Sequence, residues 1–249
     1  MSRWKAAGIH LSISVAIGLI VGALLLGVWY PPPLFHAAGA DTLVLLLVSV
    51  DIVLGPLLTC VVFKQGKKGL KFDLALIAIV QTAALVYGMS VVLRSRPVFL
   101  VAAVDRFSLV SASDLAPQDI AAGQKPEFRS LSWFGPRTVG ALLPPEGRER
   151  TKIMLSGIGG KDIDRMPKYY VDYSQVAQGL LQDAKPLDDL SINTPEQREE
   201  LDRALTKIGR AADQVVWVPL TARKANLVML LDHDSGVPLR AIAIDPWKK

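Results

Sequence analysis

Cysteine and histidine are close to missing from this 249-residue chain, which has one Cys and three His. A lone Cys60 cannot close an internal disulfide, so any folded part must hold together by burial, and the redox compartment is left open. Beyond residue 36 the only histidine is His233, and no cysteine follows Cys60. A tetrahedral Cys/His metal site is therefore excluded from the long C-terminal stretch. A Ser-His-Asp constellation would have to use Asp232-His-Asp-Ser-Gly236, whose Asp and Gly residues read as a turn. Excess charge is lacking there as well. The basic residues up to Arg96 are Arg3, Lys5, Lys64, Lys67, Lys68, Lys71, Arg94 and Arg96, against Asp41, Asp51 and Asp73. They account for the whole formal charge of +5, so the rest of the chain is neutral. A high pI confined to one end excludes a nucleic-acid-binding face on the remainder.

What the chain does have is apolar length: it is 51% hydrophobic, with a mean hydropathy of +0.33. Nearly all the long apolar runs lie before Arg94, at 9–29, 43–63 and 74–93. Each approaches the ~20 residues that cross ~30 Å of hydrocarbon. The layout predicts a membrane domain over 1–95 and a soluble domain over 96–249. The first run is too long for a signal-peptide core, and Val28-Trp-Tyr-Pro31 is no small-residue cleavage site, so it reads as an uncleaved anchor. Lysine and arginine set the direction. The tail (Arg3, Lys5) and the second loop (Lys64, Lys67, Lys68, Lys71) read as cytoplasmic, outvoting Arg94 and Arg96. The first loop and the C-terminal domain then lie outside, which in a bacterium with two membranes is the periplasm.

Inside the second run stands Asp51, followed by Gly55-Pro56. An ionisable group at that depth is costly unless paired or wetted and suggests function by default. Pro56 has no N–H to offer the Ile52 carbonyl, which predicts a kink. An antiparallel third span brings Gln81 and Tyr87 to the depth of Asp51, so the carboxyl either packs helices through them or receives a partner. Gly18-Leu-Ile-Val-Gly22 is a small-xxx-small pattern that lets helices approach closely. His10, Ser12 and Ser14, near the cytoplasmic end, are given no role.

The soluble part reads as α+β, a small and mainly antiparallel sheet with helices against it. Strands are predicted around Val98–Val110, on either side of Asp105-Arg106, and at 214–220, 225–231 and 238–245. Helices are predicted at 174–184 and from Thr194-Pro-Glu-Gln197 to about Ala212. Pro126–Thr151 reads as loop. Sites for chemistry are missing throughout. Ser156-Gly-Ile-Gly-Gly-Lys161-Asp162 has Leu155 where a phosphate loop needs its first glycine, and Asp162 where it needs Ser or Thr. Asp162/Asp164 and Asp188/Asp189 are acid pairs without a glycosidase context. Tyr169, Tyr170 and Tyr173 are either core residues or a periplasmic contact patch. No catalytic residue and no metal ligand emerges.

Taken together, Ser2-Arg-Trp-Lys-Ala-Ala-Gly-Ile-His-Leu11, Val28-Trp-Tyr-Pro31, Asp51-Ile-Val-Leu-Gly-Pro-Leu-Leu-Thr59, Val80-Gln81, Tyr87-Gly88, Arg96-Pro97, Val104-Asp-Arg-Phe107 and Asp245-Pro-Trp247 resemble the TfpX/TfpZ family of type IV pilin accessory proteins. The resemblance runs from end to end. It implies a multi-pass inner-membrane protein, without enzymatic activity or cofactor, that serves type IV pilus (fimbrial) assembly, pilus extension or retraction and hence twitching motility. The partners it implies are the cognate major pilin, membrane lipid and the pilus assembly machinery, with no nucleic acid. Two other classes stay open. A pilin-modifying enzyme would need charged groups in the first loop, which is short and nearly uncharged. An extracytoplasmic sensor or scaffold would need a cytoplasmic output, and only a tail and a lysine-rich loop are there.

Overall fold

A computed structural model describes residues 2–248, less the side chains at 46, 47 and 50. Contacts divide the chain into two compact units: Met1–Val28 with Ala40–Ser95, and Trp29–Gly39 with Arg96–Lys249.

The first unit is helical. Helix α1 (Arg3–Leu24) starts under Ser2, whose hydroxyl accepts the Lys5 amide, and ends in a π turn, Leu25–Trp29. After the short α2 (Leu34–Ala37), which belongs to the other unit, α3 (Ala40–Ser49) leads through a π turn (Val50–Leu54) straight into α4 (Gly55–Val62). Helix α5 covers Leu70–Ser95. Two of these helices, Arg3–Trp29 and Leu70–Ser95, are long and apolar enough to cross a membrane. The expected span 43–63 differs from them, because the π turn divides it and leaves a shorter apolar helix, Asp51–Val62. The physical reason is Pro56: without an amide it leaves the Ile52 carbonyl unserved, and the chain widens by a π turn just ahead of it. The kink expected at Gly55-Pro56 thus takes the form of a wider turn holding Asp51. Apolar side chains of this unit face outward, with Leu19, Ile20 and Val61 at least 70% exposed. Ser14, Gly55 and Thr59 face inward and are buried.

The second unit is a mixed sheet with helices. Its strands are β1 (Pro97–Ala103), β2 (Arg106–Ser111), β3 (Arg137–Ala141), β4 (Tyr170–Val171), β5 (Lys185–Pro186), β6 (Val215–Thr221), β7 (Leu227–Asp232) and β8 (Pro238–Ile242). The order is β4-β3-β1-β2-β6-β7-β8, with β5 on β6. Antiparallel pairings dominate, as expected, but β1–β3 and β2–β6 are parallel, and with eight strands the sheet is not small. Every residue of β1 is buried, as befits a central strand covered on both faces. One core gathers Phe99, Val101, Phe128, Val139, Ile153 and Tyr170; the other gathers Leu201, Ala204, Trp217, Val228 and Ile242.

Helices α6 (Pro117–Ala121), α7 (Arg148–Ile158), α8 (Ala177–Gln182) and α9 (Pro195–Ile208) complete the unit. Thr194 caps α9 by accepting the Gln197 amide, and the Gln197 side chain reaches back to the Asn193 amide at 2.7 Å. The helix stops at Ile208 and not at Ala212, because Gly209 turns left-handed with φ 69°. Segment 126–151 is not wholly loop. It contains β3 and the start of α7, whose first turn holds Arg148, Glu149 and Arg150.

Candidate functional site

Four-residue stripes on the helices of the first unit converge on one polar spot. His10, Ser14 and Gly18 repeat along α1, and Ala78, Gln81, Thr82 and Leu85 share a face of α5, since helical residues three and four apart are neighbours. Between them the π turn presents Asp51. A cavity of about 150 Å³ is lined by Asp51, His10, Ser14, Gln81 and Thr82 together with apolar Ile17 and Leu85. Asp51 is half-buried, and its Oδ1 is buried with no hydrogen-bond partner among the described residues. A lost partner for a buried acceptor costs ~1–3 kcal/mol, so the cavity holds an acceptor that a donor entering it would satisfy.

The neighbours of Asp51 are held in place. His10 Nδ1 lies 2.6 Å from Thr59 Oγ1 on α4, which pins the ring across two helices. Thr59 and His10 stand at the distance of a nucleophile and its base, but Thr59 is 3% exposed. The pair fastens α1 to α4. Gly55 is required by Gln81: a Cβ on Gly55 would lie 2.0 Å from Gln81 Nε2. The absence of a side chain at 55 thus lets the Gln81 amide lie against α4. A Cβ on Gly18 would come to 4.0 Å from Ile52 Cδ1, an ordinary contact, whereas one on Gly22 would meet nothing within 4 Å. Pro56 follows the π turn in the first turn of α4.

The structure therefore brings Asp51, Gln81, Gly55 and Gly18 to one locality and leaves Gly22 and Tyr87 outside it. Tyr87 is 72% exposed on another face of α5, six residues from Gln81 and out of phase with it. His10, Ser14 and Thr82 were missed as lining residues, although the spacing of His10, Ser14 and Gly18 carries the signal.

In the second unit the three tyrosines do not form one patch. Tyr170 is 1% exposed, packs edge-on against Phe99 at 5.2 Å, and donates its hydroxyl to the Asp164 carbonyl, so it has no surface to offer a partner. Tyr173 stacks on Phe107 with ring centres 5.7 Å apart and bonds the Gly236 carbonyl. Burial raises its hydroxyl to about 12. Tyr169 is half-buried and donates to Glu149 at 2.8 Å. It borders a groove of about 330 Å³ lined also by Lys152, where Lys161 pairs with Asp119 and Lys168 with Glu149. His233 pairs with its neighbour Asp234 at 2.9 Å, and Ser235 Oγ donates to Asp232 instead of the imidazole. That geometry makes no Ser-His-Asp relay. Among the described residues no three His, Cys, Asp or Glu side chains come together as metal ligands.

The protein thus has two parts of different class, a helical unit that holds a polar cavity and an α+β unit built on a mixed sheet. The comparisons give the particular kind. Residues 1–39 match the family model of the fimbrial assembly protein FimB. The chain is 28% identical over 249 residues to the serogroup I fimbrial assembly protein of Dichelobacter nodosus, spanning 98% of this chain and 96% of that one. It is also 28% identical over 248 residues to the serogroup E1 protein of the same organism. With the protein of serogroups C1 and C2 it shares 33% identity over 113 residues, which is 45% of this chain and 86% of that one. The chain belongs to this family of fimbrial assembly proteins, as the resemblance read from the sequence implies. No solved structure matches it.

Proposed function

We propose that the protein is a non-enzymatic accessory factor of type IV pilus biogenesis. It spans the bacterial inner membrane three times and holds its cognate major pilin ready for assembly, which biases extension against retraction. The fimbrial assembly relatives over nearly the whole chain support the process. The carrying observation for a binding role is the unpartnered Asp51 Oδ1 in a cavity among helices that expose apolar side chains. A membrane-embedded partner helix bearing an amine or another buried donor would supply what Asp51 lacks.

The three-span layout has its own support. Trp29–Gly39 folds in one unit with Arg96–Lys249, with the Lys224 amide bonded to the Ala37 carbonyl at 2.8 Å and Tyr30 fully buried. Two segments packed in one unit lie on the same side of a membrane, so the chain between them must cross it an even number of times. Helix α5 is one crossing, and continuous helix from Ala40 to Val62, ~35 Å at 1.5 Å per residue, supplies the other. The lysines at 64, 67, 68 and 71 favour a cytoplasmic second loop, leaving the α+β unit in the periplasm.

The test is co-purification of pilin from membranes of the pilus-bearing host. Asp51→Leu is expected to lose most of the pilin, and Asp51→Asn, which keeps polarity without charge, to retain part of it. Pilin recovered by Asp51→Leu as well as by the parent would remove Asp51 from the scheme.

A further inference from the structure

The loop between Phe128 and β3 exposes two large rings, Trp133 at 58% and Phe134 at 87%. Exposed neighbours of that size mark a contact. Three observations say what the contact is. First, the loop is tied to the first residue after α5: Arg96 follows Ser95 in the chain, is 5% exposed, donates Nε to the Ser132 carbonyl at 3.1 Å, and lies 4.7 Å from the centre of the Trp133 ring. If α5 crosses a bilayer, Arg96, one Cα step of ~3.8 Å beyond the helix end, lies at its surface, and Trp133 packs against it. Second, Leu131 packs into the core beneath, which holds the root of the loop while the rings project. Third, from Phe128 to Pro145 there is no Asp or Glu, and the loop is flanked by Arg129 and Arg137.

We infer that Trp133 and Phe134 form an interfacial anchor that dips into the headgroup layer of the outer leaflet of an anionic phospholipid bilayer. Trp prefers that depth because its ring is apolar and its N–H polar, and basic flanks favour anionic headgroups. The inference rests on the membrane layout proposed above. The anchor would add a lipid contact from the α+β unit itself to the attachments its chain makes to the helices.

The test uses full-length protein with Cys60→Ser and one reporter cysteine, labelled with an environment-sensitive fluorophore and reconstituted in phosphatidylethanolamine–phosphatidylglycerol vesicles. The reporter replaces Phe134, Ile158 or Val86; Ile158, at the end of α7, is 86% exposed and Val86, on α5, 63%. Emission from 134 is expected to be blue-shifted and largely lost on adding headgroup-proximal spin-labelled lipid, while 158 stays water-like. Quenching at 86 but none at 134 overturns the anchor and keeps the membrane layout, as it would if the rings await a protein partner. No quenching at 86 overturns both. Should Cys60→Ser fail to fold, the cysteine-bearing parent gives the same reading through native fluorescence. Brominated lipid should quench the parent more than Trp133→Phe, and equal quenching refutes the anchor.

Discussion

The two units bury opposite things. In the α+β unit Phe99, Phe107, Trp217, Leu220 and Leu230 are inside, and most charge is at the surface in pairs such as Lys161–Asp119, with Arg96 and Asp164 Oδ1 as buried exceptions. In the helical unit Leu19, Ile20, Val61 and Val86 are outside, while Ser14, Thr59 and Gly55 are inside, with Asp51 half-buried among them. Water drives the first arrangement through the cost of exposed apolar surface. That force is missing between helices in lipid, where small residues and hydrogen bonds must do the packing instead. The inversion is compatible with the membrane layout proposed above, and it explains why the two units should tolerate different substitutions.

The largest expected effect is therefore in the water-driven core. Phe99→Ala should cost ~3–5 kcal/mol of the stability of the α+β unit. Near-UV dichroism should follow its loss, while the helical far-UV signal of the detergent-solubilised protein is retained; joint loss of both would break the comparison. Two glycines sharpen it. A Cβ at Gly140 would meet both γ-carbons of Val176, at 2.6 and 2.7 Å, and a β-branched side chain has little room to turn away. Gly140→Ala should cost ~1–3 kcal/mol. The Gly55→Ala methyl meets only the end of the flexible Gln81 side chain, so its cost should be on the order of 1 kcal/mol. Adding Gln81→Ala should recover it in thermal melts, and no recovery would mean that Gly55 serves the backbone instead.

The helical unit was the more legible of the two, for a physical reason. Its signals are local: apolar runs set the lengths of α1 and α5, Pro56 announces the irregularity before it, and Gln81 meets α4 as an antiparallel third helix requires. Tyr87 misled because depth along a helix says nothing about rotation around it. The α+β unit was legible where neighbours in sequence pair, as in β1–β2 and β6–β7. It was opaque where β3 joins β1 in parallel, since Arg137-Thr-Val-Gly-Ala141 is too short and too rich in turn formers nearby to read as a strand alone. Only partners far along the chain make it one. The cavity stood between these cases, with Asp51 conspicuous as a charge in an apolar run, and His10, Ser14 and Thr82 hidden because small polar residues near a helix end have ordinary explanations.

The smallest effect tests the one place where the units agree. Asp164, like Asp51, has a buried Oδ1 without a hydrogen-bond partner among the described residues. Here the surroundings are the α+β unit, and nearby Asp162 and Asp114 are of like charge. Burial, the main cause, raises the carboxyl above its ordinary value of 3.8 despite the Ser108 hydroxyl beside it and the charge of Arg165. The folded protein therefore holds this proton more tightly than the unfolded chain does. Stability from this group is complete below the unfolded value and is lost as pH rises through the folded one. At neutral pH a buried carboxylate is a burden that Asp164→Asn removes, so the variant should melt higher than the parent, by ~2–4 °C for each kcal/mol recovered. The gap should narrow as pH falls through the folded value and close below 3.8, where the acid is neutral in both states. A difference that stays flat across that range would mean that Asp164 is paired in solution. Asp51 would then be the only one of the two carboxylates still in want of a partner, and the case for a ligand at the helical cavity would be stronger for it.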